Sequence, residues 1–569
     1  MNDFASRPWL SSYADKVPHE IPEPTETLVD MFQKVVRVHH RRVALEFFGA
    51  TTTYKELGEQ VSRMARALRK LGVRHGDRVA LVLPNCPEHV VAFYAVLRLG
   101  AIVVEHNPLY TPRELRHQFE DHGAKVAIVW DKVAETVLAF PSDLKVDTVI
   151  AVDITRAMPF GKRAALRLPI PPAKAARNAL TVGKHVKGSV DWESLIDSRP
   201  LARKHPLPRL SDTAVLQYTS GTTGTPKGAI LTHLNLRANA MQGEAWVQGL
   251  KKGREVFYGV LPMFHAYGLT LCLSFAMSMG ARLVLFPKFD EKLVLDAMRT
   301  SPATFLPAVP PIYERLVRAA AEKKVSLRGI RFAISGAMNL PVATVELWER
   351  ATGGLLVEGY GMTESSPIAV GNPIGPSRRP GAVGVPFPST DIRVVDPADP
   401  SVDRGFDEEG ELLVRGPQVF QGYWRRPDET AEVLLADGWL RTGDIVRVSK
   451  DGFVTVVDRI KELIITGGFN VAPSEVEEAL TTHPDVADAA VVGIPSEQGG
   501  EDVIAVVVAR PGSTLDTTAL RDFARAHLSA YKVPKVVVLV DELPRSMVGK
   551  VLRRVVRENL IASNGLKAK

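Results

Sequence analysis

The sequence predicts an α/β protein made of a large N-terminal domain, a small β-rich subdomain and an α+β C-terminal domain. Three observations lead there. Helical and strand patterns alternate between Tyr54 and Trp130, short strand-like runs broken by Asp-Gly pairs follow Pro380, and helix and strand patterns mix again after Arg459. At 569 residues the chain has room for three or four structural units. A hydrophobic share of 45% with 24% charged residues is that of a soluble globular protein with a buried core.

The elements follow in order. Residues 1–24 carry charges and prolines where a secretory signal would need a continuous apolar run. Residues 55–71 read as an amphipathic helix, 78–83 as a buried strand, and Thr111-Pro112-Arg113-Glu114 as a capping box with proline in the first helical turn. Residues 126–130 are the next strand. Residues 214–217 form a short apolar strand, and 229–239 read as the start of a helix. The most apolar stretch, 269–286, contains Ser274, Ser278, Gly280 and Arg282, so a buried helix entering a strand is expected rather than a membrane span. Residues 391–395, 411–415 and 453–458 read as strands, with turns at Asp437-Gly438 and Asp451-Gly452. Beyond them a second capping box is expected at Ser474 to Glu477, strands at 489–493 and 503–509, and a helix at 520–528. This places an N-terminal domain at 1–457, with its β-rich subdomain at about 380–457, a hinge at 458–462 and a C-terminal domain at 463–569.

A net charge of +7 is mild for this length and suits phosphate-rich ligands or an anionic membrane surface without calling for nucleic acid. Cys86 and Cys272 are isolated, which gives neither a disulfide framework nor a metal cluster and fits a reducing cytoplasm. Between Asp153 and Asp191 there is no acidic residue. Arg156, Lys162, Arg163, Arg167, Lys174, Arg177, Lys184 and Lys187 instead interleave with Phe160, Leu166, Leu168 and Ile170. That composition reads either as a surface for anionic lipid or as a solvated insertion.

The segment richest in chemistry is Tyr218-Thr219-Ser220-Gly221-Thr222-Thr223-Gly224-Thr225-Pro226-Lys227-Gly228. It concentrates five Ser/Thr hydroxyls, three glycines and a lysine. Glycines let backbone N–H groups turn toward an anion, hydroxyls add donors, and the lysine supplies a point charge. It is not a Walker A loop, because Lys227 follows Pro226 and precedes Gly228. Gly359-Tyr360-Gly361-Met362-Thr363-Glu364 sets an aromatic beside glycines, suited to a flat adenine, and ends in a carboxylate able to hold Mg²⁺. Asp444 closes Trp439-Leu440-Arg441-Thr442-Gly443-Asp444, where a carboxylate can accept from two ribose hydroxyls or cap a turn. Arg459 stays charged beside phosphates in any setting, though Asp458 also offers it a surface ion pair. Lys550 follows a small-residue turn, Pro544 to Gly549, near the chain end.

With these segments in order, the chain resembles the adenylate-forming superfamily of acyl-CoA synthetases, aryl-CoA ligases, luciferases and peptide-synthetase adenylation domains, from about Tyr54 to Arg554. Within it, the chain is most similar to bacterial long-chain fatty acid CoA ligases. The residues that carry this are Glu358 to Glu364, Gly467-Gly468-Phe469-Asn470-Val471-Ala472-Pro473-Ser474-Glu475-Val476-Glu477, and Tyr531-Lys532-Val533-Pro534. The resemblance implies two parallel-rich sheets with helices and a small β-barrel-like subdomain, followed by a smaller mobile C-terminal domain. It implies ATP and CoA as co-substrates, Mg²⁺ as cofactor and a fatty acid as acceptor.

By the same resemblance, Thr219, Ser220, Gly221, Thr222, Thr223, Gly224 and Lys227 hold the β- and γ-phosphates. Glu364 and Thr219 hold Mg²⁺, and Gly336, Ala337, Gly359, Tyr360, Gly361 and Thr363 face the nucleotide. Asp444 and Arg459 take ribose and phosphate, while Lys550 bridges the substrate carboxylate and the α-phosphate. Lys461 is the position that swivels, and Gly467, Gly468 and Phe469 line the pantetheine channel. His265 stands beside the acyl pocket, as a gate or as a core histidine, and Leu269, Leu271, Leu273, Phe275 and Val309 line an alkyl tunnel or fill a core. Two departures stand out: Ser335-Gly336-Ala337-Met338-Asn339 replaces a Gly-Gly-Ala-Pro pattern, and Ile465 replaces a lysine that luciferase-like relatives use. The competing expectations are an aryl- or cinnamate-type CoA ligase, a fatty acyl-AMP ligase serving a carrier protein, and a catalytically silent membrane adaptor.

Overall fold

The computed structural model describes residues 4–144, 146–219, 226–466, 469–496, 501–546 and 549–563, with Phe469 and Asn470 as backbone. Two compact units result. The first comprises Trp9–Asp391 and Val414–Leu440; the second comprises Met1–Pro8, Ile392–Leu413 and Arg441–Lys569.

The first unit contains two large sheets. One has seven strands in the order Val190–Asp191, Thr148–Val152, Val126–Trp130, Arg78–Val82, Ile102–Glu105, Thr213–Thr219 and Lys227–Thr232, parallel throughout except for the last pair. The other has nine, with Leu355–Gly361, Phe332–Ser335, Phe305–Ala308, Val256–Gly259, Arg282–Leu285 and Val43–Phe47 forming a parallel centre. Helix Tyr54–Lys70 begins where expected: Thr53 accepts from the Glu56 N–H and the Glu56 carboxylate accepts in return. Its Leu57, Val61, Met64 and Leu68 are buried along one stripe. The Thr111/Glu114 box is formed in the same way. The apolar run at 269 onward is a buried helical stretch that turns into strand Arg282–Leu285. Among the described residues no helix is long and apolar enough to cross a membrane.

One expectation is overturned. Residues 229–239 do not begin a helix after the glycine-rich loop; Lys227–Thr232 is a strand, and the helix starts only at His233. The reason is cross-strand pairing. Thr219 lies opposite Lys227, Gln217 opposite Ala229 and Val215 opposite Leu231, so the chain returns as a hairpin before Thr232 caps helix His233–Trp246. Among the described residues, strand Thr213–Thr219 is thus followed by its paired strand Lys227–Thr232 and not directly by a helix.

The second unit carries a four-stranded sheet, Asp391–Val395, Glu409–Arg415, Leu440–Val448 and Val454–Arg459, whose last two strands turn at Asp451-Gly452 with Gly452 at φ +85°. Its C-terminal part is a three-stranded sheet, Val486–Pro495, Glu501–Ala509 and Val536–Leu539. Strand alternation sends Val491, Val503, Ala505 and Val507 to one face, against Val476, Leu480, Leu520 and Ala524 of helices Pro473–Thr481 and Thr517–His527. Ala490, Val492, Ile504 and Val506 face the other way, against Val556 and Leu560 of helix Arg553–Ala562. Each large aliphatic chain buried this way contributes about 1.5–3 kcal/mol.

A second expectation is corrected here. Ser474 and Glu477 do not form a capping box: Ala472 holds the cap position, Pro473 opens the helix, and neither supplies a side-chain acceptor. The cap comes from elsewhere in the fold. The Asp458 carboxylate accepts from the Ser474 N–H at 2.9 Å and its hydroxyl at 2.8 Å, while Glu477 is engaged by Arg553.

Candidate functional site

In the first unit, the candidate residues gather at the carboxyl ends of the parallel strands, where open α/β sheets bind ligands. Thr219 and Lys227 lie opposite one another on paired strands, on either side of the glycine-rich run. Ser220, Gly221, Thr222, Thr223 and Gly224 lie outside the described residues. Glu364 sits in the short turn Thr363–Ser365, buried, and the segment 420–424 positions it. Gln421 and Trp424 donate backbone N–H groups to Ile230 and Gly228, while Phe420 donates to the Glu364 carbonyl at 2.8 Å. The Tyr423 hydroxyl then donates to Glu364 Oε1 at 2.6 Å. Lys227 Nζ lies 5.2 Å over the Tyr423 ring and pairs with Glu429. Burial, followed by the Glu364 charge and hydrogen bond, holds the Tyr423 phenol well above its ordinary range. Lysine, aromatic ring and carboxylate thus form one connected polar cluster.

Gly336 follows strand Phe332–Ser335, with Ala337 exposed at φ +67°. Gly359 and Tyr360 lie in the adjacent strand, Leu355–Gly361, which pairs in parallel through Ser335 and Glu358. The glycines here are required by close approach. A Cβ on Gly361 would lie 1.7 Å from the Pro367 carbonyl oxygen, and one on Gly336 would lie 3.1 Å from the Tyr267 ring. Thr363, beside Glu364, is half-buried.

In the second unit, the Glu411 carboxylate accepts from Arg441 and from the Gly443 N–H, which fixes the turn before Asp444. Asp444 is buried and paired with Arg459 Nε at 2.9 Å, its register partner on the next strand. Lys550 is tied to Ser546, whose N–H donates to the Lys550 carbonyl at 2.7 Å while Lys550 N–H donates to Ser546 Oγ at 3.1 Å. Burial and the Arg459 charge hold its ammonium below the ordinary lysine pKa, against the opposing pull of Glu462 and Asp444. The unit thus brings Asp444, Arg459 and Lys550 together. Lys461 is exposed, and Gly467, Gly468 and the Phe469 side chain lie outside the described residues.

Residues 32–424 match the family of AMP-binding enzymes, and residues 475–550 match the AMP-binding enzyme C-terminal domain. The chain belongs to the AMP-binding enzyme family. It is 38% identical over 563 residues to a long-chain-fatty-acid–CoA ligase of Bacillus subtilis, spanning 99% of this chain and 100% of that one. Among solved structures it is similar to an anthranilate CoA ligase in complex with anthranoyl-AMP, with a TM-score of 0.81, 25% identity and coverage of 96% and 99% of the two chains. It is also similar to a fatty acyl CoA synthetase of Mycobacterium tuberculosis, with a TM-score of 0.72, 26% identity and coverage of 95% and 100%.

In this AMP-binding enzyme the segment around His265 is pinned from several sides. Asn85 Nδ2 donates to the Gly259 and Leu261 carbonyls, Gln217 Nε2 donates to the Phe264 carbonyl at 2.7 Å, and the Tyr267 hydroxyl bonds to the Ile334 carbonyl at 2.7 Å. Desolvation pushes His265 down to about 4, so it is neutral at physiological pH. Leu269, Leu271, Leu273, Phe275 and Val309 are all buried, and Phe275 packs edge-on against Phe257 and Phe305, which places them in the core. Cys86 and Cys272 are buried free thiols, raised by desolvation, with Cys272 at about 12.

Sequence reading missed Tyr423, Glu429 and Arg553. The first two stand in Gly422-Tyr423-Trp424-Arg425-Arg426-Pro427-Asp428-Glu429, an aromatic and basic run that was a visible signal. Arg553 reads as one charge among several in a terminal helix. In the fold it bonds bidentately to Glu477 and also meets Asp458 at 3.4 Å and Glu462.

Proposed function

We propose that this enzyme activates a long-chain fatty acid with ATP, releasing pyrophosphate, and then passes the acyl group to the thiol of CoA. The reading is carried by the whole-length match to a long-chain-fatty-acid–CoA ligase in a chain that keeps Lys227, Glu364, Asp444, Arg459 and Lys550.

A carboxylate is a poor electrophile; once its oxygen has attacked the α-phosphorus of ATP and pyrophosphate has left, the acyl carbon carries AMP as a good leaving group. Lys227 and Thr219, at the root of the phosphate loop, bind the departing β- and γ-phosphates. Lys550 places its ammonium on the substrate carboxylate and the α-phosphate oxygens as negative charge builds there. Asp444 accepts from the ribose hydroxyls, and its ion pair with Arg459 keeps both side chains oriented. Tyr360, Gly336 and Ala337 flank the base. In the second step the CoA thiolate attacks the acyl carbon, the acyl C–O bond breaks and AMP leaves with its electron pair. The buried Cys86 and Cys272 take no part, so no acyl-enzyme forms.

The donor set fits Mg²⁺ arriving with the nucleotide. Glu364 is a single buried carboxylate, and among the described residues no cluster of three or more His, Cys, Asp or Glu could cage an ion by itself. Glu364, fixed by the Tyr423 hydroxyl, would hold the ion, which would supply neutralisation of phosphate charge. The enzyme works in the cytoplasm, meeting its apolar substrate at an anionic membrane surface through residues 156–187.

The test is release of AMP and formation of acyl-CoA from ATP, Mg²⁺ and CoA, across fatty acids from short to very long and a few aryl acids. Palmitate-like acids are expected to give both products. Turnover confined to aryl acids, or acyl-adenylate that accumulates without thioester, overturns the assignment. Lys550→Ala should abolish adenylation while leaving thioester formation from supplied acyl-AMP largely intact.

A further inference from the structure

The eight basic residues between 154 and 190 exceed the whole chain's net charge of +7, so the rest of the protein carries −1. This segment forms helices Phe160–Ala165 and Pro171–Leu180, neither of which buries a residue. It is nevertheless firmly anchored where strand Val126–Trp130 of the seven-stranded sheet runs into the helix that follows it. Trp130 Nε1 donates to the Leu180 carbonyl at 2.8 Å and Lys132 Nζ to the Asn178 carbonyl at 2.8 Å. Asp131 Oδ2 accepts from the Thr181 hydroxyl at 2.5 Å and the Val182 N–H at 3.0 Å. Beside the anchored segment lies a cleft of ≈ 320 Å³, lined by Arg156, Arg163, Arg167, Arg177 and Lys184 together with Asp131, Asp153, Glu193 and the His185–Asp191 pair.

Arg156 lies 3.7 Å from Asp153, which leaves Arg163, Arg167, Arg177 and Lys184 without a salt bridge among the described residues. Asp131 Oδ1 is buried with no hydrogen-bond partner. On the same segment, large apolar side chains stand in solvent: Phe160 is 77% exposed, Leu168 52% and Ile170 49%. A water-soluble phosphate ligand would account for the arginines and leave those side chains unexplained. A lipid accounts for both, because its phosphate meets guanidinium groups while apolar side chains enter the acyl boundary. The unpartnered Asp131 oxygen suits a hydroxyl of the headgroup.

We propose that the cleft beneath residues 154–190 is a binding site for the glycerophosphate headgroup of an anionic phospholipid, held by Arg163, Arg167, Arg177 and Lys184 while Phe160, Leu168 and Ile170 insert beside it. The inference deepens the membrane contact in the proposed function by giving that contact a specific headgroup site.

Full-length protein is sedimented with vesicles of phosphatidylcholine alone and of phosphatidylcholine mixed with phosphatidylglycerol. Binding is expected only to the mixed vesicles, weakened about 10-fold or more by Arg163→Ala/Arg177→Ala and similarly by Phe160→Ser/Leu168→Ser. The exposed Arg167→Ala/Lys184→Ala pair serves as a second cleft variant that does not rely on half-buried positions. Lys174→Ala/Lys187→Ala removes the same charge outside the cleft and should cost distinctly less. Equal losses from the inside and outside pairs, equal binding to both vesicle types, or no binding at all would overturn the site. AMP release from a water-soluble acid, measured without vesicles, should be the same in all variants. Its absence in the wild type counts against the ligase reading and leaves the vesicle result to stand or fall by itself.

Discussion

Replacing Arg553 with methionine should loosen the second unit and idle Lys550. Arg553 donates Nε to Glu477 Oε1 at 2.8 Å and Nη2 to Glu477 Oε2 at 2.6 Å, and it also meets Asp458 and Glu462. Methionine keeps the length and removes the charge, leaving three carboxylates without their shared cation. Breaking a buried ion pair from one side costs about 3–5 kcal/mol. The lower end applies here because the Glu477 and Glu462 side chains are still 18% and 24% exposed, and because Asp458 keeps the Ser474 N–H and hydroxyl. A loss of about 3 kcal/mol corresponds to a roughly 100-fold larger open population. Hydrogen exchange is the assay of choice, because none of the seven tryptophans lies in 441–569 and fluorescence does not report directly on this part of the unit. Exchange should accelerate in strands Val486–Pro495 and Glu501–Ala509. The loss also reaches the chemistry: Arg553 opposes protonation of Lys550 whereas Glu462 favours it, so without Arg553 the lysine is drawn to Glu462. Adenylation should fall more than thioester formation from supplied acyl-AMP. Unchanged exchange, or equal loss of both half-reactions, would refute the argument.

Other outcomes follow from the same geometry. Gly361→Ala should abolish adenylation, because the new methyl overlaps the Pro367 carbonyl and the strand must move; a variant with wild-type AMP release would contradict the close approach. Tyr423→Phe removes the hydroxyl that donates to Glu364 Oε1 and should raise the MgATP requirement about 10-fold with a smaller effect on kcat, as read from initial rates against MgATP. Burial lifts Glu358 from 4.5 to about 8, so the folded state binds the extra proton. Stability from this group is therefore present at low pH and falls by about 1.4 kcal/mol per unit as pH rises between those values, and Glu358→Gln should flatten that slope in a Tm-versus-pH series. Because Lys550 titrates below an ordinary lysine, adenylation should decline on the alkaline side earlier than a free lysine would dictate, and pre-steady-state AMP formation against pH would show it.

The local grammar of the chain was legible wherever neighbours in sequence decide the outcome. Thr53 and Thr111 cap helices with their own N3 glutamates, and Gly452 turns a hairpin through Asp451-Gly452, because these contacts close within a few residues. The candidate residues of the proposed site stand in short recognisable runs for a related reason: polyphosphate, ribose and carboxylate would each call for particular side chains, which Lys227, Glu364, Asp444, Arg459 and Lys550 offer. Tertiary structure decided what depends on distant partners. Residues 229–239 read as a helix start until pairing with 213–219 makes 229–232 part of a strand, and Ser474 to Glu477 reads as a capping box until Asp458 takes over the cap. Tyr423 finds Glu364 across 59 residues and Arg553 finds Glu477 across 76. A buried polar group takes whichever partner the packed fold delivers, because leaving it unpaired costs more than any local preference supplies.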